Sequence, residues 1–382
     1  NQKGFKAFFL GLLLIFDWHL IWAAGSSMET LLYGLIVFVC LANLIGKDFS
    51  PLGLGILAGI SVWVRPDGIT LLAPILLAIL FSFDATIKER RLNLLKAVIG
   101  FLALVVPYLS FNKLLAGTWW PNTFYAKQAE YASYQSISLL RRFITELSLP
   151  LTGAGVLLFI CAIYFVFDVV KRKRWKEISG FLWWIGYIFI YAWKLPVTYQ
   201  HGRYMIPIIP ILIFWGYLGF LKFMENYEKQ RWGWILSRVI GLSIGITCIS
   251  FWVLGAVNYA TDVAIVETEM VDTAKWISIN TEQGSIIAAH DIGAMGYFSH
   301  RQLIDLAGLI SPDVVPIIRD ENALIKYLSQ KNVDYVVIFS NWYIDLPKQG
   351  QLVYVSSGKF SRASGGDVMS VYRWPKNITT KN

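Results

Sequence analysis

Gly117-Thr118-Trp119-Trp120-Pro121-Asn122-Thr123-Phe124-Tyr125-Ala126-Lys127 stands where a long apolar run, about Leu95 to Ser110, ends and a wet segment begins. Adjacent tryptophans, a helix-breaking proline, an amide, a phenol and an ammonium at the end of such a run make a surface suited to the edge of a bilayer. As an aromatic anchor the stretch needs no ligand; as a binding surface it holds one at that edge. Both readings stay open here. Either way, the run before it reads as a membrane span.

The same pattern recurs outward from this point. Of 382 residues, 56% are hydrophobic and 15% charged, too apolar a balance for an ordinary soluble chain of this size. The apolar residues come in runs of roughly 15 to 22, the length that crosses hydrocarbon as a helix, rather than in the short alternating segments of a barrel. The runs begin near Phe5 and continue through one ending at Ile45, then Pro51 to Val64, Ile69 to Phe83, Leu95 to Ser110, Pro150 to Val170, Ile178 to Trp193, Met205 to Phe223 and Ile235 to Val257. The sequence thus predicts an α-helical polytopic membrane protein with about nine transmembrane helices over residues 1–257. Between the fifth and sixth runs, Leu139, Leu140, Phe143 and Ile144 fit one face of an interfacial helix.

The formal charge of +9 is placed in a way that argues against nucleic acid. Basic residues cluster between runs, at Lys47, at Lys88, Arg90 and Arg91, at Lys171-Arg172-Lys173-Arg174-Trp175-Lys176, and at Lys229 and Arg231. Alternate connections carry fewer: Arg65, Lys113, Lys127, Arg141, Arg142, Lys194 and Arg203. By the positive-inside rule the richer side is cytoplasmic. The polar motifs and everything after the last span then face the other side of a cell membrane. Cys40, Cys161 and Cys248 all fall inside predicted spans, which implies no disulfide framework or thiolate metal site.

From about Tyr259 the composition becomes that of a soluble α/β domain, residues 258–382. Ser285 to Ala289, Leu303 to Leu306 and Val333 to Phe339 read as strands, Val271 to Ile279 and Asn322 to Ser329 as helices, and Gln351 to Ser356 with Val368 to Trp374 as a closing antiparallel pair. The sequon at Asn377 carries no weight.

Several polar motifs are candidates for chemistry. Arg65-Pro66-Asp67-Gly68 is either an interhelical turn or part of a site, and Glu29 either a first-turn acid or a partner for it. His201-Gly202-Arg203-Tyr204 brings an arginine into a span, which is costly without an anion. Asp17 and His19 form a polar break in the first run. His290-Asp291-Ile292-Gly293 follows a predicted strand, where open sheets place ligands, although Asp291 equally suits a helix cap. Cations suit a lipid-linked phosphate, and aromatic faces with amides suit sugar rings.

Trp22-Ala23-Ala24-Gly25-Ser26-Ser27-Met28-Glu29-Thr30, Arg65-Pro66-Asp67-Gly68, Pro121-Asn122-Thr123-Phe124-Tyr125-Ala126-Lys127, Gly202-Arg203-Tyr204 and His290-Asp291-Ile292-Gly293 resemble, in order, motifs of bacterial multi-spanning GT-C glycosyltransferases. The group most similar includes mycobacterial cell-wall arabinofuranosyltransferases and proteins linked to flagellar motor control. The resemblance covers nearly the whole chain. It implies a GT-C-like fold with an extracytoplasmic C-terminal domain, a polyprenyl-phosphate sugar donor and a glycan or protein acceptor of the cell envelope. It also implies a catalytic carboxylate in the first extracytoplasmic loop, which the present sequence is expected to lack because it begins beyond that loop.

On this reading the chain is an inverting glycosyltransferase. A carboxylate deprotonates the acceptor while cations stabilise the leaving phosphate. Arg203, His201 and Lys127 are assigned to the donor phosphate. Trp119, Trp120, Asn122 and Tyr125 are assigned to the sugar and lipid entry, with Glu29, Arg65, Tyr204 and Asp291 as further substrate contacts. Asp17 and Asp67 are the first carboxylates to test as base. No cofactor is assigned, and a divalent cation stays open. The rival is a non-catalytic lipid carrier or envelope assembly protein. A secondary transporter would need related halves and a mid-membrane site, and neither is evident.

Overall fold

The computed structural model describes residues 2–46, 50–82 and 85–376. Lys47 and the sequon at Asn377 lie outside the described residues. In chain order the helices are α1 (Gln2–Ile15), α2 (Trp18–Gly25), α3 (Thr30–Ile45), α4 (Pro51–Val64), α5 (Leu72–Leu80), α6 (Ile87–Ala116), α7 (Asn122–Glu130), α8 (Leu139–Ser148), α9 (Gly155–Lys171) and α10 (Trp175–Lys194). A short, irregular α11 (Tyr199–Gly202) leads to α12 (Ile209–Tyr227), α13 (Arg231–Ile265) and α14 (Asp272–Asn280). A five-stranded sheet with small helices follows. The chain divides into two compact units, residues 1–119 with 134–256, and residues 120–133 with 257–382.

The first unit is wholly helical among its described residues, but the expectation of about nine spans needs correction. Among the described residues, three helical stretches are long and apolar enough to cross a membrane, Ile87–Ala116, Tyr199–Tyr227 and Arg231–Asn280. Two bent pairs, Gly4–Ile15 with Trp18–Gly25 and Leu139–Leu151 with Gly155–Lys171, raise the number to five at most. The shortfall has a physical cause. A helix rises about 1.5 Å per residue, so the 14 residues of α4 reach only about 21 Å, short of a 30 Å core. An apolar run sets an upper bound on a span; caps and prolines cut it down. Asp17 cuts the first pair, its side chain accepting from the Leu20 amide at 3.1 Å as the N-cap of α2.

Short helices bury themselves against neighbours. Gly55 of α4 lies so close to α6 that a Cβ there would stand 2.0 Å from the Ala97 carbonyl oxygen, the close approach that small residues permit between apolar helices. The core is filled by Tyr33, Leu71, Ile75, Trp184, Tyr187 and Ile188, all under 2% exposed. By contrast α6 and α13 leave Leu95, Ile99, Val106, Leu242, Ile246 and Val253 exposed, an apolar surface of the kind that marks a membrane or protein-interaction face. In α8 the apolar residues Leu140 and Ile144 face outward while Arg142 and Glu146 are buried, the inverse of a soluble amphipathic helix.

The second unit holds a mixed sheet of β1 (Ile286–Ala289), β2 (Gln302–Asp305), β3 (Tyr335–Phe339), β4 (Gln351–Val355) and β5 (Met369–Arg373). Their order is β2-β1-β3-β5-β4. β1 pairs in parallel with β2 and β3, and β5 pairs antiparallel with β3 and β4. The five expected strands all form. Separate apolar clusters cover the two faces: Ala288, Val336 and Ile338 pack with Leu324 and Leu328, while Ile287, Ala289 and Val337 pack with Ala274 and Ile277. Burial on both faces explains why β1 and β3 read as continuous apolar runs.

Buried Glu269, in a π-helical turn (Val266–Val271), ties this unit together. Its carboxylate accepts from the hydroxyls of Ser356 and Ser361 and from the Met369 amide. A buried anion is tolerable when donors surround it in this way.

Candidate functional site

In the first unit, Arg65, Asp67, Glu29, Arg203 and Tyr204 converge, together with four tyrosines that the motif reading had passed over. The chain leaves α4 at Arg65 in an extended conformation and enters a 3-10 turn (Pro66–Leu71), so Arg65 and Asp67 point back to one place. Arg65 Nε donates to Asp67 Oδ1 at 3.1 Å and Nη2 donates to the Tyr191 hydroxyl at 3.1 Å. Its Nη1 stands 3.5 Å from Glu29 Oε1, and its Cζ lies 5.5 Å and 5.3 Å from the ring centroids of Tyr33 and Tyr204. Asp67 Oδ2 accepts from the hydroxyls of Tyr187 at 2.6 Å and Tyr191 at 2.7 Å. This pair is a closed network: Arg65 is 5% exposed and its charge is matched within the fold.

Arg203 is built differently. It follows three residues with positive φ, Gln200, His201 and Gly202. Gly202 is needed there, because at φ +70° a Cβ would also stand 2.8 Å from Leu149 Cδ1. Arg203 Nη1 donates to Gln200 Oε1 at 2.7 Å, and Nη2 donates to the Tyr204 hydroxyl at 3.1 Å. Its Cζ lies 5.4 Å and 5.0 Å from the rings of Tyr199 and Tyr204. Among the described residues no carboxylate lies within ion-pair distance of it. Tyr204, stacked on Tyr191 with centroids 5.3 Å apart, has a guanidinium near its ring from each of two arginines, only one of which is neutralised.

The other assigned residues are distributed as follows. His201 meets Trp18 and Trp22 edge-on, with centroids 5.3 Å and 5.0 Å away. Asp17 caps α2, with His19 Nδ1 3.6 Å from its carboxylate. Trp119 lies 5.9 Å from the Lys113 ammonium. Trp120, Asn122, Tyr125 and Lys127 belong to the second unit. There the Asn122 amide donates to the carbonyls of Gly308 and Leu309, Trp120 and Tyr125 both neighbour Phe124, and Lys127 lies near Tyr131.

That second unit has a site of its own. His290 directly follows β1 and Trp342-Tyr343 follows β3, so they meet at the carboxyl ends of adjacent parallel strands where the strand order reverses. Glu130, at the end of α7, reaches the same point. His290 Nε2 is 3.3 Å from Glu130 Oε1, and Nδ1 is 2.7 Å from the Tyr343 hydroxyl. A carboxylate can only accept, so Nε2 donates to it; Nδ1 pairs with the Tyr343 hydroxyl, accepting from it in the neutral ring and donating to it in the charged one. Burial pushes the Glu130 carboxyl upward, but the His290 hydrogen bond and charge outweigh this and hold it below its usual range. Asp291 accepts only a long bond from the Gly293 amide, 3.4 Å, and burial raises its pKa. The crevice expected to take a ligand is thus met by the chain's own α7.

Tyr187 and Tyr191 had one legible signal: phenols one helical turn apart inside an apolar run need polar partners. No group of three or more His, Cys, Asp or Glu able to hold a metal is found among the described residues. Residues 259–372 match a family described as a domain of unknown function, DUF8728. No curated protein matches the chain.

Proposed function

We propose that the chain is a membrane glycosyltransferase of GT-C type. It takes a sugar from a polyprenyl-phosphate donor and passes it to a cell-envelope acceptor on the extracytoplasmic side. The observation that carries this reading is Arg203. A partly buried guanidinium, braced by two tyrosine rings and lacking a carboxylate partner among the described residues, is suited to a phosphate. Arg65, held a ring away, adds positive field while its own charge is balanced by Asp67. The phenols and Gln200 supply hydrogen-bonding groups for a sugar, and Glu29, half exposed, stands at the edge of the cluster. Inversion requires a base for the acceptor hydroxyl.

A second reading is favoured by the two carboxylates first considered for that base. Asp17 is spent on a helix cap and Asp67 on three hydrogen bonds, which suits a carrier that binds the lipid phosphate without turning it over. Titration of the purified full chain with a polyprenyl-phosphate sugar and with the corresponding polyprenol addresses the shared premise. The proposal expects the phosphate to be required for binding and Arg203→Ala to weaken it by about tenfold or more, the weight of a charge-assisted hydrogen bond. Equal affinity for the polyprenol would remove the basis of both readings.

A further inference from the structure

We propose that Glu146 is a proton-binding site, and that loss of its proton draws Arg142 away from the carboxyl end of α10. The inference concerns the first unit alone and does not depend on the transferase reading. Glu146 is 1% exposed and Arg142 9%, and residues four apart share one face of a helix. Neither carboxyl oxygen of Glu146 has a hydrogen-bond partner among the described residues, and Arg142 Nε has none either. A buried carboxylate left in this way is far more costly than a neutral acid, so the arrangement fits the protonated form.

Arg142 is engaged elsewhere. Its Nη1 donates to Gln135 Oε1 at 2.6 Å and to the carbonyls of Ala192 and Trp193 at 2.9 Å and 3.2 Å. Those carbonyls lie in the last turn of α10, where they lack helical partners and favour a cation. Side-chain rotation alone would bring the same guanidinium to Glu146, its neighbour one turn on. The α10 carbonyls hold Arg142 while Glu146 is neutral; once the proton has left to water, the carboxylate competes for it. What is released is the end of α10, whose preceding turns carry Tyr187 and Tyr191, the phenols that donate to Asp67.

No charged side chain among the described residues lies close enough to act on Glu146. α8 packs on α10 and on the 3-10 turn Leu149–Leu151. That turn carries no titratable residue. α10 presents Tyr191, bonded to Asp67, and exposed Lys194, its ammonium 4.0 Å from the Trp193 ring centre. α11 packs on the same turn; its Tyr199 lies by Arg203 and its His201 meets Trp18 and Trp22. On α8 itself Arg141 is exposed.

Dicyclohexylcarbodiimide, an apolar reagent that adds to protonated carboxyls, reads the proton directly in the full chain in nanodiscs. Peptide mass spectrometry should find Glu146 modified at neutral pH, where an ordinary glutamate with a pKa of about 4.3 is ionised, and the yield should fall several-fold in alkali. Hydrogen exchange over 191–195, corrected for intrinsic rates, should lose protection across the same interval. Glu146→Gln, which fixes a neutral side chain, should stay protected throughout, and subtracting its profile removes any part due to His201. Glu146 unmodified at neutral pH, a yield that does not change with pH, or a Gln variant with the wild-type exchange profile would overturn the proposal. Should Glu146→Gln not fold, the wild type alone decides: the midpoints of labelling and exchange must coincide, and midpoints that differ refute the coupling.

Discussion

Arg203 donates to the hydroxyl of Tyr204 at 3.1 Å while its guanidinium carbon lies 5.0 Å from the centre of that same ring. The residue next in sequence thus fixes the arginine in position without neutralising it. On the far side of the cluster Arg65 has the opposite fate, matched by Asp67 and Glu29.

Gly202→Ala tests how the arginine is aimed. The substitution forces a Cβ into a left-handed conformation that costs about 1 kcal/mol or more and against Leu149. Donor binding should fall while the melting temperature drops only modestly. Unchanged donor affinity in isothermal titration would show that the loop does not position Arg203.

Asp67→Ala should be severe in a different way. It leaves Arg65 buried opposite two phenols with no anion beside it except half-exposed Glu29, and breaking a buried pair costs roughly 3–5 kcal/mol. Thermal denaturation should show a large loss, and Asp67→Asn a smaller one. An Asp67→Ala protein that melts like the wild type would mean that the pair carries no structural weight.

Glu130 gives a pH dependence with a definite sign. Its folded pKa lies below the ordinary glutamate value, about 4.3, so its contribution to docking α7 is complete above that value and is lost as pH falls through the lowered one. The stability difference between wild type and Glu130→Gln should be constant near neutrality and shrink in acid. Hydrogen exchange over 122–130, corrected for intrinsic rates, reads it; a difference that grows in acid contradicts the assignment.

Asp291→Asn should act in the reverse direction. Burial raises the folded pKa of Asp291, so ionising it near neutrality opposes folding, and stability from this group falls as pH rises through the carboxylate range. The amide should raise the melting temperature at pH 7 and lose that advantage in acid. A lower melting temperature at pH 7 would show that the charged form is the favoured one.

The strands of the second unit were legible because β-branched runs bounded by turn residues have few other outcomes, and the polar motifs were legible because charge in apolar sequence stands out. The number of spans was not, since run length ignores Asp17 at the head of α2 and the bend of 103° between the Leu139–Leu151 and Gly155–Lys171 segments. Nor was the place of Asn122. Its bonds to the Gly308 and Leu309 carbonyls cross 186 residues or more, and local pattern carries no trace of such a pairing. The Tyr187 and Tyr191 phenols were masked by their apolar context, in which aromatic residues count as membrane filling.

Sugar transfer from labelled polyprenyl-phosphate sugars by membranes carrying the protein, compared with Arg203→Ala, tests the central claim most directly. The account predicts transfer from one donor in the panel and its loss in the variant, with the variant still folded and membrane-bound. Transfer at the wild-type rate by Arg203→Ala would contradict it.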